Sequence, residues 1–312
     1  MKKVIISLLV ILTTSSLYSN NTSPFQFLRT TQSARSAALG GASMVLENDP
    51  SAVFFNPALI YTAEDQNISV TGLKHVLDIN QGNFVYINDS QEENFGVLAA
   101  IINFNSYGSF DRADENGIGT GTFGGGDFSF GIGVSNELDS NFYYGITAKF
   151  IYSGLEDVST NAYAVDAGLF YRLNERSNLG VSILNAGGQI TRLNGENSSL
   201  PLDVRVGANH RLRGLPILAN ISFHHLADQT DNFFDRFGNI SAGLELYLGK
   251  YLMVRGGYDN MVRRDVSADF DRATSGFTFG VGAKVNNINI DYGMARYGSA
   301  GYLHRLSLNF GV

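Results

Sequence analysis

Along most of the chain, apolar and polar residues alternate one for one. From Phe142 to Tyr152 every even position is apolar or aromatic, whereas the odd ones include Gly145, Thr147 and Lys149. Ile240 to Leu248 repeats the pattern, with Ala242, Leu244 and Leu246 set against Ser241, Gly243 and Glu245. Phe277 to Val285 and Tyr302 to Phe310 do the same. Successive side chains of a strand point to opposite faces, so each stretch predicts a strand with one apolar face and one small or polar face. About fourteen strands are expected, near 66–73, 79–87, 94–105, 127–136, 141–152, 162–173, 179–184, 202–210, 217–225, 239–248, 251–258, 275–285, 288–295 and 302–310. Most approach the roughly ten residues that cross a bilayer at a tilt.

The connections fall into two classes. Tight turns are expected at 136–140, 174–178, 211–216, 249–250 and 286–287, and longer loops at 106–126, 153–161, 185–201, 226–238 and 259–274. Short and long alternate, which puts every long loop at one end of the sheet. A soluble sandwich would show the same strand alternation with its apolar face inward, but it has no reason for this asymmetry. Bacterial outer-membrane barrels have short periplasmic turns and longer outer loops. The expected fold is therefore an all-β transmembrane antiparallel barrel of about 14 strands, with both chain ends on the periplasmic side.

Composition agrees. Charged residues are 16% of the chain, below the roughly 25% of ordinary soluble domains, and aromatics reach 12% with 35 Gly. Met1-Lys2-Lys3, an apolar run from Val4 to Leu12 and a small polar exit to Ser19 have the three parts of a secretory signal peptide, expected at 1–19. Of 22 Lys and Arg, two leave with that signal; against 29 Asp and Glu the net charge is then -9. A basic face is the footprint of a nucleic-acid binder, so nucleic acid is not an expected partner. With no Cys, no disulfide framework is available.

One segment departs from the alternation. Residues 20–63 precede the barrel (64–312), and within them Ser33 to Tyr61 is Ala-rich and carries Pro50 and Pro57. Asn48-Asp49-Pro50 is a helix start, since a polar side chain can cap free N–H groups and Pro is favoured at the first helical position. Asn56-Pro57 interrupts that piece and Gly40-Gly41 marks another break, so two short helical pieces with bends are expected. Val53, Phe54, Phe55, Leu59 and Ile60 need burial, and with lipid outside the wall the lumen is the available place. The segment is expected to be a plug or hatch. Facing it, the polar side of the strands holds Lys149, Asp166, Arg172, Asp203, Arg205, Glu245, Arg255, Lys284, Asp291 and Arg305, charges of both signs that must pair if buried. Inward Gly145, Gly168, Gly207, Gly243, Gly280 and Gly282 leave room for an insert to approach the wall.

Sites with catalytic or cofactor chemistry are not expected. Gly119, Gly121 and Gly124 fit GxGxxG but lack the flanking strand and helix that bring a pyrophosphate to a helix N-terminus. Asp114-Glu115-Asn116-Gly117 has neither the first ligand nor the closing Glu of a calcium hand. His224 and His225 are adjacent, so in a strand they point to opposite faces and cannot share a metal. No Ser-His-Asp group can be assembled from proximity. The reading is non-enzymatic, without cofactor or metal.

Three motifs carry a resemblance. Ser33-Ala34-Arg35 through Gly40-Gly41, then Asp49-Pro50-Ser51-Ala52, then Asn56-Pro57-Ala58, look like the amino-terminal signature of the PorV/PorQ family of FadL-like outer-membrane barrels. Tyr107-Gly108-x-Phe110-Asp111, Asp114-Glu115-Asn116-Gly117, Gly121-x-Phe123 and Ala295-Arg296-Tyr297 are closer to PorQ. The resemblance implies a fourteen-stranded barrel with a hatch and a role in the type IX secretion system of Bacteroidota-like bacteria. It implies a PorZ-like surface partner or a cargo protein docked on the outer loops, with Tyr107, Phe110, Asp111, Asp114, Asn116 and Phe123 as candidate partner-facing residues. A FadL-like channel for hydrophobic compounds is the alternative. It predicts an apolar lumenal pocket near Phe54, Phe55 and Leu59, with a gap in the wall.

Overall fold

The computed structural model describes residues 23–63, 67–74, 79–88, 96–191, 198–265, 275–296 and 301–311. The signal segment, His75 and Tyr297 lie outside them. Fourteen strands form one closed antiparallel barrel: β1 (Ile68–Lys74), β2 (Asn80–Asn88), β3 (Val97–Ala113), β4 (Gly119–Asp139), β5 (Phe142–Leu155), β6 (Val158–Asn174) and β7 (Ser177–Gln189), then β8 (Asp203–Arg211), β9 (Ile217–Phe223), β10 (Ile240–Leu248), β11 (Leu252–Asp259), β12 (Phe277–Val285), β13 (Ile288–Arg296) and β14 (Tyr302–Phe310). Neighbours in sequence are neighbours in space, and β1 closes the ring on β14, from Ile68 opposite Phe310 to Lys74 opposite His304.

The faces sort as the alternation requires. On β14, Tyr302, His304, Leu306 and Leu308 point out, whereas Leu303, Arg305, Ser307 and Asn309 are buried inside. Ile132, Ile146, Phe150, Leu244, Phe279 and Val281 are likewise exposed on the outer wall. An outward apolar band around a closed ladder satisfies every backbone pair internally, which is the requirement for crossing lipid with strands.

The tight turns lie at the end that also carries both barrel termini. The opposite end differs from expectation. The loops expected at 106–126 and 153–161 are mostly strand: β3 and β4 run 17 and 21 residues and turn only at 114–118, and β5 and β6 turn at 156–157. Tandem glycines and polar residues read as a loop, but Phe110 stacks on Phe123 across the pair at 5.4 Å. The Asp114 carboxylate accepts from the Asn116 and Ile118 amides at 2.9 and 2.8 Å, which closes the tip. β3–β7 therefore stand above the rest of the rim. Two α-helical pieces occur among the described residues: α1 (Ala34–Ala38) in the hatch and α2 (Asn260–Asp265) after β11.

Candidate functional site

The hatch is built from three capped turns. Ser33 caps α1 by accepting from the Ser36 amide at 3.1 Å. Asp49 caps the 3-10 turn Pro50–Phe54 through the Ser51 amide at 3.0 Å, and Asn56 caps Pro57–Thr62 through the Ala58 amide at 3.1 Å. The Asp-Pro and Asn-Pro pairs thus mean the same thing: an oxygen acceptor at the cap and a Pro with φ already set at the next residue. Between α1 and the Pro50–Phe54 turn, Gly40 and Gly41 hold φ of 67° and 84°, and a Cβ on Gly40 would strike the Tyr258 backbone.

From Phe25 to Ala63 the hatch runs inside the barrel from the long-loop end to the short-turn end. Phe25 and Phe27 pack with Ile151, Ala162 and Leu200, while Val53, Ile60 and Ala63 pack with Val85, Ile87 and Val97. Between these ends it sweeps along the wall, and glycines mark the track. Ala34 lies on Gly293, Ala38 on Gly280, Leu39 on Gly257 and Gly243, and Met44 on Gly207. Val45 lies on Gly180, Asn56 and Pro57 on Gly168, Pro57 on Gly145, and Ile60 on Gly133. At each of these nine positions a Cβ would come within 3 Å of the hatch. Of the six inward glycines expected to admit an insert, five do so; Gly282 instead accommodates the Arg255 and Asp291 side chains.

Polar groups fix the same track. Asn56 donates to the Leu169 carbonyl at 3.0 Å, Ser182 to Phe55 O at 2.7 Å, Ser135 to Ala58 O at 3.0 Å and Thr278 to Ala38 O at 2.9 Å. The charge lock is at Arg35, whose guanidinium bonds both oxygens of Glu245 at 3.0 and 2.8 Å and lies 3.4 Å from Asp49. Glu245 also pairs with Arg255, which bonds Asp291 at 2.6 Å, and takes a hydrogen bond from Tyr247. Lys149 pairs with Asp166, Arg205 with Asp203, and Arg172 with hatch residue Glu47, so these lumenal charges are braces.

Leu59 is fully packed, and Phe54 and Phe55 border a cavity of only about 30 Å³, room for one or two waters. The apolar chamber expected there is therefore filled by the hatch itself. A roomier space lies at the long-loop end: an outward-open pocket of about 550 Å³ above the hatch, bordered by Arg29, Phe55, Arg205, Ser241, Asp259 and Met261. Arg29 bonds Asp228 there at 2.8 Å, which ties the start of the hatch to the outer rim.

The same pocket overturns the expectation for the histidine pair. β9 ends at Phe223, and His225 has a left-handed φ of 54°, so strand alternation no longer applies. The rings converge, with Nδ1 to Nδ1 at 3.1 Å. Burial pushes the His225 pKa well below the usual histidine value; Asp203 pulls it up, while His224, Arg205 and Arg29 add to the depression. The candidate partner-facing residues lie elsewhere, on the β3–β4 hairpin: Phe110, Asp111, Asp114 and Asn116 are exposed, Phe123 is half-buried, and Tyr107 bonds Asp127 at the hairpin base.

A closed fourteen-strand barrel with an apolar exterior and an inserted hatch is an outer-membrane type of fold. Among solved structures the chain is similar to the Pseudomonas putida toluene transporter TodX, at 13% identity over 95% of this chain and 98% of that one, with a TM-score of 0.58. It is also similar to the Ralstonia pickettii toluene transporter TbuX, at 14% identity over 89% and 98%, TM-score 0.58, and to a Pseudomonas aeruginosa FadL homologue, at 10% over 90% and 98%, TM-score 0.51. The fold is thus FadL-like. No known family's sequence pattern matches the chain, and no curated protein sequence does.

Proposed function

We propose that this protein is a hatch-gated channel of the outer membrane that admits small hydrophobic compounds. The carrying observation is the hatch, which presses on nine of the fourteen strands and closes the lumen beneath a pocket of about 550 Å³ that opens outward. Support comes from the FadL-like fold, whose solved examples include two proteins described as toluene transporters. The interior is packed, so passage requires the hatch to move. Its attachment by a few ion pairs and single hydrogen bonds supplies discrete points of release. Removing residues 33–61 from the folded barrel should raise conductance in planar bilayers, and liposomes carrying the full chain should take up a monoaromatic compound faster than empty ones. Equal uptake by both kinds of liposome would refute the channel reading.

A second reading is docking of a secreted or surface protein, as the PorV/PorQ resemblance implies. It is favoured by apolar exposure at the long-loop end: Phe234 is 80% exposed, Phe233 63% and Ile118 at the β3–β4 tip 63%. This reading requires no transport, and recovery of a secretion-system protein with the barrel from outer membranes would support it. The fold comparisons favour the channel over it.

A further inference from the structure

The histidine pair stands outside both readings. His224 and His225 are each 6% exposed and meet edge to face, with Nδ1 atoms 3.1 Å apart. The thioether of Met261, on α2, lies 3.0 Å from His225 Nδ1. On the far side of each ring the surroundings favour a proton on Nε2. His225 Nε2 is 3.4 Å from the Asp203 carboxylate; His224 Nε2 is 3.0 Å from Ser241 Oγ and 3.7 Å from Asp259. With both Nε2 atoms protonated, neither Nδ1 has a proton to share. Two nitrogen lone pairs and a sulfur then meet around His225 Nδ1, which lies 3.1 Å from His224 Nδ1 and 3.0 Å from the Met261 thioether, with no donor between them.

A cation satisfies all three at once. Two imidazole nitrogens 3.1 Å apart, each about 2.05 Å from a metal, subtend about 100° there, an ordinary ligand angle. Ser241 Oγ on His224 Nε2 is the kind of partner that fixes the tautomer and orientation of a ligating histidine, and His225 Nε2 lies beside the Asp203 carboxylate at 3.4 Å without a hydrogen bond to it. A thioether with two imidazoles is a soft donor set and contains no carboxylate oxygen, which selects monovalent copper over zinc, calcium or magnesium. The backbone is committed to the arrangement as well. A non-glycine residue at positive φ is uncommon, and here the His225 amide is held by Asp203 Oδ1 at 2.6 Å.

We infer that His224, His225 and Met261 form a Cu(I) site facing the outward pocket of the barrel. Ion supply comes from outside, through the opening that the pocket already provides. Arg205 and Arg29 are nearby cations, but each is paired with its own carboxylate, Asp203 and Asp228.

The test uses the full-length folded barrel in detergent, its folding checked by heat-dependent mobility on gels. Cu(I) is supplied under a reductant in competition with bicinchoninate. One copper per barrel is expected, and X-ray absorption should report two nitrogen neighbours and one sulfur. Met261→Leu should weaken binding at least 10-fold, and His224→Gln with His225→Gln should abolish it while mobility is unchanged. The inference is overturned if the chelator keeps the copper. It is equally overturned if copper binds the double variant as well as the wild type, or if Met261→Leu binds normally and the sulfur shell is missing.

Discussion

Replacing Arg35 with Met tests whether the charge lock holds the hatch. Met keeps most of the length of the arginine stem and removes the two bonds to Glu245 and the contact to Asp49. Taking away one partner of a buried ion pair costs about 3–5 kcal/mol. Glu245 retains Arg255 and Tyr247, so the lower end, about 3 kcal/mol, applies. Only the seated hatch loses this interaction, because a released Arg35 is solvated. With about 1.4 kcal/mol per factor of ten, the released population should rise roughly 150-fold. Single-barrel recordings in planar bilayers would show this as more frequent openings at unchanged conductance. Adding Glu245→Leu should restore closure, since it removes the buried carboxylate that has lost one of its two arginines and leaves Arg255 paired with Asp291. An opening frequency for Arg35→Met equal to that of the wild type would refute the lock, as would a double variant that opens more than the single one.

Three further outcomes follow from the contacts. Gly145→Leu should displace the hatch, because its Cβ would meet the Pro57 backbone, and overpacking of this kind costs about 1–3 kcal/mol; limited proteolysis should cut residues 33–63 faster, while Gly72→Leu, which faces open space, leaves cutting unchanged. Asn56→Ala removes a cap and the bond to the Leu169 carbonyl, about 2 kcal/mol together, and should give an intermediate proteolysis rate. If the docking reading holds, Phe233→Ser with Phe234→Ser should abolish co-purification of the partner without altering barrel mobility on gels.

The wall was legible in the sequence because strand alternation is local. Every strand was expected near its place, with β3 and β4 extending well beyond their expected ends, and the polar face was the lumenal face. The hatch was legible in part through its caps: Asp49-Pro50 reads as a helix start, whereas Asn56-Pro57, read as an interruption, starts a further turn. Five inward glycines could be placed, again because alternation is local. Arg35 and Glu245, in contrast, are 210 positions apart, and nothing in either neighbourhood names the other. The rise of β3 and β4 was missed because Gly124, Gly125 and Gly126 read as loop, whereas the partner strand supplies the ladder. The histidine pair was misread because one left-handed residue cancels the rule on which strand alternation rests.

The glycine track also bears on how the molecule is assembled. Hatch and wall lie this close on nine strands, so the segment and the sheet around it fit as one packed body. Residues 23–63 have the shape of a mandrel around which the strands are laid. The seam between β1 and β14 is tied to it as well, with the Ala34 amide donating to Ser307 Oγ at 2.8 Å.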